Sequence, residues 1–219
     1  MGGMAMIKNY FFDCGDVLLN LDVQRTIDCF AKLWRTDADG RMAFSTHDLF
    51  GVGSNRLMAD FQTGAIHTDD FVKTLMPNLR PGTTPEQILD AWDAMLLDVP
   101  QCRIDALRRL KRNGFKVFIL SNNNDEHLRW ILDYFDKIGI VEGREIDEAY
   151  YSNLIGSAKP DPDLFRVAIE RSGVDPAETL YFDDMEKNTI AGAKFGLQTI
   201  CATGKEIDWE ADILCKKTF

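Results

Sequence analysis

Strand-like runs and helical periods take turns along most of this 219-residue chain, and that alternation limits its fold more than any other feature. Apolar runs of strand character occupy residues 9–13, 115–120, about 149–152, 179–183 and 198–202. Between the later ones lie segments of helical period at 101–112, 125–138, 161–172 and 186–195, and Gly114, Gly139, Gly173 and Gly196 follow them as C-cap candidates. Parallel strands need long crossovers, usually helical. This order therefore predicts an α/β, Rossmann-like core, a parallel sheet with helices on both faces.

Residues 22–98 break the rhythm. Helical patterns at 22–35, 40–50, 54–63, 68–76 and 84–97 follow one another with no strand between them; Thr68 and Thr84 are N-cap candidates, and Pro77, Pro81 and Pro100 are punctuation. The expected organisation is a core built from 1–20 and 99–219 with an inserted all-helical cap at 21–98. Hydrophobic residues make up 45% of the chain, enough to fill such a core. An excess of 35 acidic over 25 basic side chains gives a formal charge of -10, which repels nucleic-acid backbones and anionic membranes. No nucleic-acid or membrane partner is expected, and a small anionic substrate would need a local site or a bound cation. The opening ten residues hold no long apolar stretch, and no later run approaches the roughly eighteen apolar residues of a membrane span. Gly2 begins a myristoylation-like start, but position 6 is Met where that signal wants Ser or Thr. The five cysteines, Cys14, Cys29, Cys102, Cys201 and Cys215, fall in separate elements with no Cys-x-x-Cys pair. That points to free thiols in a reducing, cytoplasmic setting.

In an open parallel sheet, ligands bind outside the carboxyl ends of the strands. Polar residues stand at four such ends: Asp13 after the first strand, Ser121 and Asn122 after the second, Lys159 in the loop beyond the third, and Asp183 and Asp184 after the fourth. Singly, each reads as an ordinary turn or N-cap residue. Together they supply the parts of phosphoryl chemistry. A carboxylate can attack phosphorus, a few oxygens can hold Mg²⁺, and a hydroxyl, amides and an ammonium can offset the charge on the transferring oxygens. His47, His67 and His127 have no partner at metal-ligand spacing. Trp34, Phe44, Phe50, Phe61, Phe71 and Trp92 read as packing within the helical insertion, with room for one or two to line a substrate cavity.

These motifs resemble, in order and spacing, those of the haloacid dehalogenase superfamily, over roughly residues 7–203. The first is Phe-Phe-Asp-Cys-Gly-Asp-Val-Leu from residue 11, the second Ile-Leu-Ser-Asn-Asn-Asn at 119–124, the third Ser-Ala-Lys-Pro-Asp-Pro at 157–162 and the fourth Tyr-Phe-Asp-Asp-Met-Glu-Lys-Asn at 181–188. The resemblance implies a Mg²⁺-dependent phosphatase of small phosphorylated metabolites, with a helical cap that closes over the site. It makes Asp13 the nucleophile and a metal ligand, has Ser121 and the Asn122 backbone bind the phosphoryl group, and pairs Lys159 with both Asp13 and the phosphate. Asp184 becomes the side-chain metal ligand of the fourth motif, with Asp183 beside it and Asn188 in support. Helix N-termini behind these loops add N–H dipoles toward an anion.

One position departs from the pattern. Most phosphatases of the superfamily carry a second Asp two residues after the nucleophile, which protonates the leaving oxygen; here that residue is Gly15. The resemblance implies that the Gly15 carbonyl still serves as a metal ligand, whereas acid-base help, commonly worth about 10²- to 10⁴-fold, is lost. Asp16, one residue further, is expected to point elsewhere, and Asp22 or the cap could supply a substitute. The same pattern, followed by Leu-Asn-Leu-Asp at 19–22, is similar to members related to α-glucose-1-phosphate phosphatases, which suggests sugar 1-phosphates, whose leaving groups need little proton help. Three alternatives stand beside this reading: a catalytically weak member that binds a phosphorylated ligand or partner, a 2-haloacid dehalogenase, which works without metal, and a receiver domain, which is smaller and uninterrupted.

Overall fold

A computed structural model describes residues 6–36, 56–210 and 213. Strands β1 (Asn9–Phe12), β2 (Lys116–Ser121), β3 (Glu148–Tyr151), β4 (Thr179–Asp183) and β5 (Gln198–Cys201) form one sheet in the order β3-β2-β1-β4-β5, with every pairing parallel. The connections run from β1 outward to β3, then return to the other side of β1. The first strand thus lies in the centre, next to the point where the strand order reverses. Register sets Phe12 level with both Ile119 and Phe182. The following step along each chain therefore brings Asp13 beside Asp183, and Asp13 N–H still bonds the Phe182 carbonyl at 2.8 Å.

The helices are α1 (Val23–Leu33), α2 (Leu57–Gln62), α3 (Thr68–Leu75), α4 (Pro85–Asp93), α5 (Gln101–Arg112), α6 (Asp125–Ile138), α7 (Ser152–Ile155), α8 (Pro162–Ser172) and α9 (Glu186–Lys194). Alternate strand residues cover opposite faces of the sheet. Phe11, Phe118, Leu120, Tyr150 and Tyr181 pack on Leu164, Phe165 and Ala168 of α8 and Ala191 of α9. Tyr10, Phe12, Val117, Ile119 and Phe182 share the other core with Leu107 of α5 and Ile131 of α6, and that core continues into the helices between β1 and α5. Because both faces are covered, the strands read as unbroken apolar runs rather than alternating ones.

Several local expectations need adjustment. Thr68 is the first helical residue of α3 and its N-cap is His67, whereas Thr84 does cap α4, in a capping box with Gln87. Gly139 and Gly173 close α6 and α8 in the left-handed conformation, while α5 and α9 end on Asn113 and Phe195, one residue before their glycines. The short α7 has no counterpart in the sequence pattern, because four residues following a strand carry no helical period. The helical pattern at 40–50, with Phe44, His47 and Phe50, lies outside the described residues, as does Cys215.

The helical insertion leaves and rejoins the core through two paired segments. Asn20 N–H bonds Asp98 O at 2.8 Å, Leu97 N–H bonds Asn20 O at 3.1 Å and Asp22 N–H bonds Met95 O at 2.9 Å. Inside it, buried Phe61 and Phe71 stack at 4.5 Å and Phe71 meets Trp92 at 5.1 Å. Trp92 also reaches out of the insertion. Its ring stacks on His127 of α6 at 4.6 Å and its indole N–H bonds Asn124 Oδ1 at 3.3 Å. Burial pulls His127 down to about 4, so it stays neutral and faces the Trp92 carbonyl at 3.2 Å. His67 Nδ1 lies 2.6 Å from Asp125 Oδ2. Both histidines thus join insertion to core and stand apart from the acidic cluster. Truncating Phe71, which is fully buried between two aromatic rings, is expected to cost about 3–5 kcal/mol; urea unfolding of Phe71→Ala measures this.

Candidate active site

Two strand ends and one loop deliver the acidic and basic groups to the same place. Asp13 continues β1, Asp183 ends β4, and Lys159 comes from the loop between α7 and α8 to lie between them. Its ammonium is fully buried, 3.0 Å from Asp13 Oδ1, 2.7 Å from Asp183 Oδ2 and 2.7 Å from the Leu120 carbonyl at the end of β2. An ammonium has three N–H donors, and here each has an acceptor. Burial alone would pull Lys159 down, but Asp13 and Asp183 outweigh it and hold the ammonium above its usual value. Asn122 fixes the lysine's backbone: Lys159 N–H bonds Asn122 Oδ1 at 2.7 Å, and Asn122 Nδ2 bonds Lys159 O at 2.9 Å.

Asp183 is fully buried and fully engaged. Its Oδ2 also accepts from the Tyr181 hydroxyl, and its Oδ1 accepts from Met185 N–H at 2.9 Å and Asn188 Nδ2 at 2.9 Å. Asp184 is half-buried, with its carboxyl held up by burial and then by Asp183. Ligand oxygens of Asp13, Asp183 and Asp184 all lie within 4.8 Å of one another. Burial pushes Asp13 up to about 7; Lys159 opposes the shift, while Asp183 and Asp184 add to it. Three crowded carboxylates around one lysine leave negative charge in excess, and hard oxygen donors are the set that suits Mg²⁺. The residues present fit that ion.

Ser121 and Asn122 stand beside this cluster, at the end of β2. Ser121 is buried, and its hydroxyl donates only a 3.3 Å bond to the Asn122 carbonyl. Asn188 stands behind Asp183 and donates to its Oδ1. Gly15 stands two residues after Asp13 in the turn, and the space over it is occupied: a Cβ there would meet Leu21 Cδ1 at 2.9 Å. Both nearby aspartates bond to backbone N–H groups. Asp16 turns its carboxylate to Leu21 N–H at 3.2 Å, and Asp22 caps α1 through Gln24 N–H at 3.1 Å.

Two contributors escaped the sequence reading. Tyr181 lies two residues before Asp183, on the same face of β4, so strand periodicity was signal enough to place its hydroxyl near that carboxylate. The Asn122 side chain carried no such signal, since its link to Lys159 spans 37 residues.

Known proteins resemble this chain over most of its length. A curated D-ribitol-5-phosphate phosphatase from Bacteroides thetaiotaomicron is 29% identical over 95% of this chain and 97% of its own. A crystal structure of a haloacid dehalogenase family enzyme from the same bacterium, an aspartate-to-alanine mutant in complex with magnesium and inorganic phosphate, superposes with a TM-score of 0.78 at 29% identity, covering 92% of this chain and 97% of that one. A hydrolase structure from Porphyromonas gingivalis gives a TM-score of 0.76 at 28% identity, covering 94% and 95%. An (S)-2-haloacid dehalogenase from Pseudomonas is 26% identical over 90% of this chain and 85% of its own. The model of the haloacid dehalogenase-like hydrolases matches residues 7–196, a span that takes in all four strand-end motifs, and the chain belongs to that family.

Proposed function

We propose that the protein is a Mg²⁺-dependent phosphatase of small phosphorylated metabolites, acting through an aspartyl phosphate on Asp13. The observation that carries this reading is the placement of Asp13 at the central strand end, 3.0 Å from a buried lysine and grouped with Asp183 and Asp184. Asp13, the Gly15 carbonyl and Asp184 would hold Mg²⁺, whose contribution is to offset charge on the phosphoryl oxygens. Lys159 favours the ionised form of Asp13 and orients it for attack on phosphorus; as the Asp13–phosphorus bond forms, the bond from phosphorus to the ester oxygen breaks, and that oxygen takes its proton from water. Ser121, whose present bond is long, would turn its hydroxyl to a phosphoryl oxygen, with the Asn122 backbone beside it. Asp183 holds Lys159 and the start of α9 in place. Water then cleaves the aspartyl phosphate and frees phosphate. The crowding of three carboxylates favours this over a haloacid dehalogenase, in which Asp184 would have no cation to bind.

Residues 21–98 serve in this reading as a cap over a core of 1–20 and 99–219, with the paired segments at 20–22 and 95–98 as its hinge. A cleft of about 360 Å³ lies between α2 and the Lys159 loop, lined in part by Gln62, Thr63, Ser157, Asp161 and Asp163. Such polar groups suit a substrate rich in hydroxyls, a sugar or polyol monophosphate. The similar ribitol-phosphate phosphatase supports that class. With Gly15 at the acid position, an anomeric phosphate, which leaves readily, is the preferred substrate. The described cysteines are free thiols and none of the described helices is long and apolar enough to cross a membrane, in keeping with a cytoplasmic enzyme.

Asp13→Asn is expected to abolish Mg²⁺-dependent phosphate release while leaving the thermal transition in place; retained turnover would overturn the nucleophile assignment. Lys159→Met should lower kcat by about 10² to 10³ through lost charge stabilisation, read by steady-state phosphate release. Among substrates, a sugar 1-phosphate should be hydrolysed faster than the matching 6-phosphate or a pentitol 5-phosphate. The reverse order would show that another group supplies the proton. Tight binding of these phosphates with no release would instead favour a non-turning-over binding protein, the reading that Gly15 keeps open.

A further inference from the structure

Asp16 is the non-glycine residue with positive φ among those described, at 52°. L-residues avoid this left-handed region, and Asn and Asp are the side chains that tolerate it best. Here the conformation is clamped from both sides. The Asp16 carbonyl accepts Gly204 N–H at 2.6 Å, and its carboxylate accepts Leu21 N–H at 3.2 Å.

The clamp has its own foundation. Gly204 sits so close to the turn that a Cβ would fall 2.1 Å from Val17 O and 2.5 Å from Arg103 Cζ. Arg103, from α5, is 2% exposed, and its Nη1 donates to Leu18 O at 3.0 Å. Its guanidinium lies 5.8 Å from the Trp209 ring centre, and the Trp209 indole N–H bonds Gly204 O at 2.7 Å. Trp209 in turn packs on Phe12 at 5.7 Å, directly before the nucleophile position. A buried arginine and the segment after β5 thus brace the turn that follows Asp13.

We propose that Asp16 is a positioning residue: held left-handed by Gly204 and Leu21, it sets the tilt of the Gly15–Asp16 peptide and so aims the Gly15 carbonyl relative to Asp13. The geometric reason is direct. With the Asp16 carbonyl and side chain both fixed, φ at residue 16 is the rotation that remains to orient the preceding peptide plane. Asp16 acts through its backbone shape and as a hydrogen-bond acceptor, and its charge is secondary. This rests on the proposed reading in which Gly15 offers its carbonyl to Mg²⁺.

The test compares Asp16→Asn, Asp16→Gly and Asp16→Ala by calorimetric titration with MgCl₂, alongside thermal unfolding in metal-free buffer and steady-state kinetics. Asn keeps both left-handed tolerance and the acceptor, Gly keeps the tolerance alone, and Ala keeps neither. The expected result is Mg²⁺ affinity near that of the native chain for Asn, weakened by about tenfold for Ala, with Gly between them. The kcat should follow the same order. Two results overturn the proposal: Ala binding Mg²⁺ as tightly as the native chain, or Asn falling as far as Ala, which would make charge the operative property. If Asp16→Ala does not fold, Asn and Gly decide. Affinity at or near the native value for Asn, with Gly weaker, supports the proposal, and equal loss in both overturns it. Failure of the native chain itself to bind Mg²⁺ would instead strike the underlying functional reading.

Discussion

A buried ammonium held between two carboxylates is the constraint on which the rest of the site depends. Lys159 has no exposed side-chain surface, so its charge must be met inside the protein, and Asp13, Asp183 and the Leu120 carbonyl meet it. Removing one partner from such a buried group typically costs about 3–5 kcal/mol, because the remaining charge is left uncompensated. The sheet order makes the contact possible. With β1 between β2 and β4, one strand end supplies a carbonyl and the other two supply carboxylates, all within reach of a single side chain. Lys159 draws Asp13 toward the ionised form a nucleophile needs, while burial, with Asp183 and Asp184, holds its carboxyl up at about 7.

The helical insertion is tied to this centre by more than its two linkers. Asn124, three residues after Ser121, caps α6 and also accepts the Trp92 indole N–H from α4. Ser152 extends the link: its hydroxyl bonds the Gln62 carbonyl of α2 at 2.6 Å and receives Asn123 N–H at 2.8 Å. The loop that carries Ser121 and Asn122 therefore touches the insertion at several points. A shift of the insertion would be felt at the residues proposed to bind the phosphoryl group.

Much of the fold was legible because strand–helix alternation and apolar runs are local signals. Each strand was placed within about a residue, and α5 and α6 were bounded as observed. Asp13, Ser121, Lys159, Asp183 and Asp184 could be singled out because strand ends in a parallel sheet converge on one edge. What remained hidden was non-local. The Asn122 clamp on Lys159, the reach of Trp92 to Asn124, the His67–Asp125 pair and the Gly204 contact to Asp16 each join segments far apart in sequence. Asp16 shows the limit best. Its letter could be read, but its role depends on a glycine 188 positions later and on a buried arginine that carries no motif.

In the proposed reaction, phosphate passes through a covalent bond to Asp13. The most direct measurement is acid quenching during turnover of a sugar phosphate with Mg²⁺, followed by mass analysis of the peptide that contains residue 13. A phosphoryl group on Asp13 that forms with Mg²⁺ and is cleared as substrate runs out is the predicted result. Phosphate release with no label on Asp13, or with the label on another residue, would contradict it.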